Sequence, residues 1–115
     1  MCRAIWALAI GPDEDACSRI RRSAGVEVQV IAMATTLVRA QELIGDSTID
    51  VAVIDARTPD AYGIVRALRR SHPKVAIVWI GEDPPETAHM QLAQEEADVD
   101  HLPGAITKAL IARKN

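Results

Sequence analysis

A chain of 115 residues folds as one domain, 1–115, around one core, with no length to spare for a second. Apolar residues make up 49% of it but aromatics only 3%, with no phenylalanine, so the core is aliphatic; the two cysteines, Cys2 and Cys17, have no ligand or framework spacing and read as free thiols. A net charge of -3 makes no electrostatic case for nucleic acid or an anionic membrane as partner, and the longest apolar run, Ala4 to Ile10, is too short to span a bilayer and lacks a cleavage site, so a cytoplasmic protein is expected.

In chain order, Ile5 to Ile10 reads as a strand, Gly11-Pro12 as a turn, and Cys17, Ile20 and Ala24 as the buried stripe of a first helix. A second strand over Val26 to Ala34 leads to a helix with the stripe Leu37, Ala40 and Ile44, closed by Gly45-Asp46-Ser47. The third strand, Val51 to Ile54, is followed by a helix that buries Ile64, Val65 and Leu68, and the fourth, Val75 to Ile80, follows His72-Pro73. After Pro84-Pro85 a helix is expected over Glu86 to Ala97, the least apolar of the set, with Met90, Ala93 and Ala97 as its stripe. A weak fifth strand, Val99 to Leu102, and a helix burying Ile106, Ala109 and Leu110 complete the chain. Five strand-helix alternations with short connections predict a three-layer α/β sandwich on a parallel sheet.

The third strand delivers a carboxylate, Asp55, to its carboxyl end, where open α/β sheets bind ligands. Pro59 and Gly63 shape the loop between it and the next helix. A strand-end aspartate with a proline four residues on and a glycine eight residues on resembles the receiver domain of bacterial two-component response regulators. The order of elements fits over nearly the whole chain. The resemblance implies a flavodoxin-like (βα)5 fold with strand order 2-1-3-4-5, and a phosphoacceptor aspartate served by an acidic pair holding Mg2+, a hydroxyl residue and a lysine. Those groups neutralise the crowded oxygens of a transferring phosphoryl group.

Measured against that pattern the chain departs at several positions. Gly11 and Pro12 stand where the acidic pair belongs; Asp13 and Glu14 are the remaining candidates to join Asp55 at a metal, and the competing reading makes Asp13 a helix cap with Glu14 and Asp15 complementing the helix dipole. Gly81, or with a one-residue shift Ile80, stands at the hydroxyl position, Gly104 at the lysine position, and His101 at that of the switch aromatic. The leading expectation is therefore a pseudo-receiver, a signalling interaction module independent of phosphorylation that requires no cofactor. It would meet a protein partner or a second copy through the fourth-helix, fifth-strand and fifth-helix face, at Met90, Ala97, His101 and Ile106. The alternative is a phosphoacceptor that takes a phosphoryl group from a histidine kinase on Asp55 with Mg2+, with at most slow autophosphorylation and autodephosphorylation as enzymatic activity. A further alternative is the amino-terminal receiver of a larger regulator or of a pilus-assembly localisation ATPase.

The remaining polar clusters carry less. Arg66, Arg69 and Arg70 lack interleaved aromatics and read as a solvated helix face, His72, His89 and His101 lack zinc spacing, and Cys17 reads as core.

Overall fold

In the computed structural model, which describes residues 4–46 and 48–113, the apolar runs assemble into one parallel sheet. Its strands are β1 (Ile5–Ile10), β2 (Val28–Ala34), β3 (Val51–Asp55), β4 (Ala76–Ile80) and β5 (Met90–Leu92), in the spatial order β2-β1-β3-β4-β5. The helices are α1 (Glu14–Ser23), α2 (Leu37–Asp46), α3 (Ala61–Ser71) and α4 (Leu102–Ala112). Every residue of β3 and β4 is buried, which is why these strands read as unbroken apolar runs: a central parallel strand is covered on both faces.

Alternation along the strands divides the core in two. Ala7, Ala9, Val51, Val53, Val78 and Ile80 point to the side packed by Cys17 and Ile20 of α1 and by Ile106 and Ala109 of α4. Leu8, Ile10, Ala52, Ile54, Ile77 and Trp79 point to the other side, where Ala40 and Ile44 of α2 and Ile64, Val65 and Leu68 of α3 meet them. Each fully buried Val, Leu or Ile side chain among them contributes about 1.5–3 kcal/mol relative to exposure. Three layers, which the sequence pattern predicts, and the order 2-1-3-4-5, which the resemblance implies, are thus both present as the flavodoxin-like arrangement. Cys17 lies in this core, its Sγ directed at the carbonyls of Ala34 (3.5 Å) and Ala9 (3.8 Å), and burial pushes its thiol pKa up. Cys2 and Ser47 lie outside the described residues, as does Asn115. No helix among the described residues is long and apolar enough to cross a membrane.

The carboxyl-terminal third corrects the sequence reading. No α-helix forms over Glu86–Ala97, only a single 3-10 turn at Gln94–Glu96; Met90–Leu92 pairs parallel with β4 as the fifth strand, Val78 beside Met90 and Ile80 beside Leu92. The reason is the demand of β4, whose side chains are buried on both faces and whose outer main-chain groups need partners. His89 extends that pairing: its N–H donates to the Ile77 carbonyl at 2.9 Å, and its Nδ1 accepts the Ile77 N–H at 2.9 Å. Burial, then the charges of Arg69 and Arg113, lower the His89 pKa, which favours the neutral accepting ring. On the α3 side of the sheet, where a fourth-connection helix would pack, Trp79 stacks on Tyr62 with centroids 5.2 Å apart. The Tyr62 hydroxyl donates to the Asp83 carbonyl.

Nor is Val99–Leu102 a strand. The Asp98 carboxylate accepts the N–H groups of Asp100 (2.9 Å) and His101 (3.0 Å), which bends the chain into a turn, and Pro103 enters the first turn of α4, where a missing N–H costs nothing.

Candidate functional site

Asp55 ends β3 with its side chain inside the molecule, the residue 3% exposed. The loop that follows is organised by its own main chain: Thr58 donates to the Asp55 carbonyl through both N–H (3.0 Å) and Oγ1 (2.7 Å), and the Thr58 carbonyl accepts from Ala61, the first residue of α3. Asp60 takes a left-handed conformation (φ 56°), and a Cβ on Gly63 would meet its carboxylate, so the glycine provides the space this turn occupies.

Both oxygens of the Asp55 carboxylate accept hydrogen bonds. Oδ1 accepts the Arg57 N–H at 2.9 Å, Arg57 Nε at 3.1 Å and Gln94 Nε2 at 2.9 Å, while Oδ2 accepts Arg57 Nη2 at 2.8 Å. The guanidinium therefore grips both oxygens in the fork geometry that makes arginine-carboxylate pairs specific. Burial pushes the Asp55 pKa up, but the hydrogen bonds from the Arg57 side chain, the Arg57 N–H and Gln94, with the Arg57 charge, outweigh it and hold the acid below the ordinary carboxylate value. Arg57 is raised in turn, chiefly by its hydrogen bonds to Asp55.

Around this centre the other sequence candidates fall into different places. Asp13 caps α1, its Oδ1 accepting the Ala16 N–H at 2.8 Å, and Glu14 and Asp15 stand exposed in the first helical turn. Gly11 and Pro12 bring no side-chain oxygen, and a Cβ on Gly11 would approach that of Ala16 to 2.9 Å. Asp13, Glu14 and Asp55 form no ligand cluster: no group of three His, Cys, Asp or Glu able to hold a metal occurs among the described residues. With a guanidinium already on Asp55, this donor set does not fit Mg2+. Gly81 follows β4 beside the site, with φ 138° and with a Cβ position 2.5 Å from that of Ala56, so a hydroxyl residue has no room there.

Gly104 is elsewhere, on the exposed first turn of α4 with nothing within 4 Å of its Cβ position, because the strand end that carries a receiver's lysine is here the end of β5. Gln94 stands just beyond that end and reaches Asp55 and the Ile80 carbonyl (3.2 Å). Of the residues expected to form an interaction face, Ile106 and Ala97 are buried in the core, Met90 is half-buried on β5, and His101 is exposed, paired with Asp98 at the start of α4. Sequence reading missed Arg57 and Gln94. Arg57 carried a signal, since a residue two after a strand-end aspartate folds back onto it in an Asx turn, whereas Gln94 carried none.

No protein-family model matches the sequence, and no curated protein matches it. Solved structures do match. The signal receiver domain of an HD domain-containing protein from Pseudomonas fluorescens Pf-5 superposes with a TM-score of 0.80 at 15% identity, over 99% of this chain and 92% of that one. A LuxR-family two-component response regulator from Aurantimonas sp. SI85-9A1 gives 0.80 at 19% identity, over 96% and 87%. The signal receiver domain of NarL from Mycobacterium tuberculosis gives 0.80 at 18% identity, over 96% and 98%. The chain has the fold of response-regulator receiver domains.

Proposed function

We propose that this receiver-fold domain is a pseudo-receiver, a signalling module that acts through protein contacts while Asp55 serves as a fixed structural carboxylate. The observation that carries the reading is the seating of Arg57 and Gln94 on the two Asp55 oxygens. A phosphoacceptor needs one oxygen free to attack phosphorus and a divalent cation beside it. In this chain the positive charge is supplied from within, and both oxygens already accept donors of the same domain.

The test follows the emission of Trp79 in a Trp6→Phe variant during Mg2+ titration with beryllofluoride, an acyl-phosphate mimic. Trp79 ends its ring on the β4–β5 connection, Nε1 donating to the Glu82 carbonyl at 3.0 Å, so a rearrangement of the strand ends moves its signal. A flat titration is expected. A saturable change that disappears in Asp55→Asn would put the phosphoacceptor reading first.

That second reading, phosphoryl transfer from a histidine kinase to Asp55, is favoured by one observation: the Arg57 side chain is 56% exposed and can swing off the carboxylate without disturbing the core. Incubation with acetyl phosphate, read by intact mass, separates the two, because only this reading gives a phosphoryl adduct on Asp55. A receiver domain forms part of an HD domain-containing protein in Pseudomonas fluorescens Pf-5; by analogy this domain serves as the input unit of a larger regulator, which the reading frame of the gene will establish.

A further inference from the structure

β2 is the outermost strand on its side of the sheet, so one row of its main-chain donors and acceptors faces away from β1. Protein edges of this kind are ordinarily guarded by charge, proline, brevity or a bulge that twists the edge. Of these guards this one has only a bulge. It runs seven residues, and from Val28 to Val38 no Asp, Glu, Lys, Arg or Pro occurs. Its register against β1 slips at Ile31, which the ladder skips between Val30 and Ala32, and the bulge leaves Ile31 39% exposed. Met33 on the same strand is 37% exposed, and Val26 before it and Val38 after it are 103% and 66% exposed. Four of the exposed large apolar side chains thus flank a single edge.

Charge says what covers it. Glu27 stands at the start of the uncharged stretch and Arg39 at its end, next to Thr36, whose Oγ1 accepts the Arg39 N–H at 3.2 Å and caps α2. When two such edges pair antiparallel about a two-fold axis, the start of each strand lies beside the end of the other. Glu27 of one copy then faces the positive end of α2 and the Arg39 side chain of the other, twice over by symmetry. Arg39 is free to serve there, since its present partner Glu42 is an exposed neighbour on the same helix. A parallel pairing sets Glu27 against Glu27 and does not close.

From this we infer that the β2 edge is the contact between two copies of this chain, joined as antiparallel β2 strands so that the two sheets become one continuous sheet. The contact lies at the opposite edge from β5, goes beyond the reading of Asp55 and stands independently of it.

Sedimentation equilibrium over a broad concentration range tests it on the whole chain. The expected result is a reversible rise from the chain mass to twice that mass. Ile31→Lys with Met33→Lys abolishes the rise, whereas Val99→Lys and Ile111→Lys, on apolar residues exposed elsewhere, leave it unchanged. Glu27→Lys weakens association about two- to fivefold, and adding Arg39→Glu restores it, the size being that of an exposed ion pair. Should the lysine variants unfold, hydrogen exchange on the unaltered chain decides: the Val28–Ala34 amides exchange more slowly in concentrated than in dilute solution. A chain that stays monomeric throughout, a dimer indifferent to the lysines at 31 and 33, or exchange in β2 that is independent of concentration each overturns the inference. The first of these leaves the edge to a strand from an unlike protein.

Discussion

At one edge of the sheet β2 runs seven residues beside β1 with α1 and α2 packed nearby, whereas at the other β5 has three residues and joins β4 through a connection without a helix. The long edge pairs with β1 along its length apart from the bulge at Ile31, with Val28 and Val30 packed on one core layer and Ala32 and Ala34 on the other. At the short edge one large aromatic does the covering that a helix does elsewhere: Trp79 is 2% exposed, stacked on Tyr62 and tied by its indole N–H to the loop that a helix would have replaced. Cover in an α/β layer is thus a matter of apolar area delivered to the sheet, and the secondary structure that delivers it can vary.

The contrast is sharpest at Trp79. Trp79→Ala opens the covering layer of the short edge and is expected to cost about 3–5 kcal/mol in urea unfolding, while Val38→Ala beside the long edge, on a side chain 66% exposed, stays within about 0.5 kcal/mol. Equal, small losses for both would break the comparison. Next in size, Gly81→Ala places a methyl against Ala56 on a positive-φ backbone and is expected to destabilise by about 2–4 kcal/mol. Gly104→Ala, where nothing lies near and the backbone is helical, is expected to stabilise by about 0.5–1 kcal/mol. The pair separates a glycine demanded by the site from one merely tolerated in α4.

A further expectation concerns the Asp55 carboxylate, which Arg57 and Gln94 hold from two separate segments of the chain. Arg57→Ala is expected to cost about 1–2 kcal/mol at neutral pH, discounted because the guanidinium is more than half exposed. Since the folded state holds the Asp55 pKa below its unfolded value, the stability it contributes is complete above about pH 4 and is lost as pH falls through the folded pKa. Urea midpoints measured from pH 7 to pH 2 should therefore lose a component in the acid limb when Arg57 is removed. An unchanged acid limb would mean that the pair does not hold Asp55.

Up to β4, sequence and structure agree because each element repeats its signal. Cys17, Ile20 and Ala24, or Ile64, Val65 and Leu68, recur at helical spacing along helices of ten and eleven residues, and β3 and β4 are unbroken apolar runs. Past β4 the signal is too short. Met90, Ala93 and Ala97 have helical spacing, yet Met90 and Leu92 also alternate as a strand does, and three residues cannot decide between the two periods. The misplaced strand carried Gly104 with it to the lysine position and hid Gln94. At the site, Asp55 was legible from its place after an apolar run and Arg57 from its place two residues on, whereas Gln94 was not, since a polar side chain distant in sequence carries no periodicity that gives its address.

By itself the sequence determined the aliphatic parallel sheet, its helical cover on both faces and the placing of a carboxylate at a strand end, since each follows from local periodicity summed over many residues. Only the tertiary structure decided which segment pairs with β4, that Trp79 stands in for a helix, and that Arg57 and Gln94 close on Asp55. Those outcomes depend on main-chain groups and lone pairs that need partners in space, and residues 39 positions apart satisfy them as readily as neighbours do.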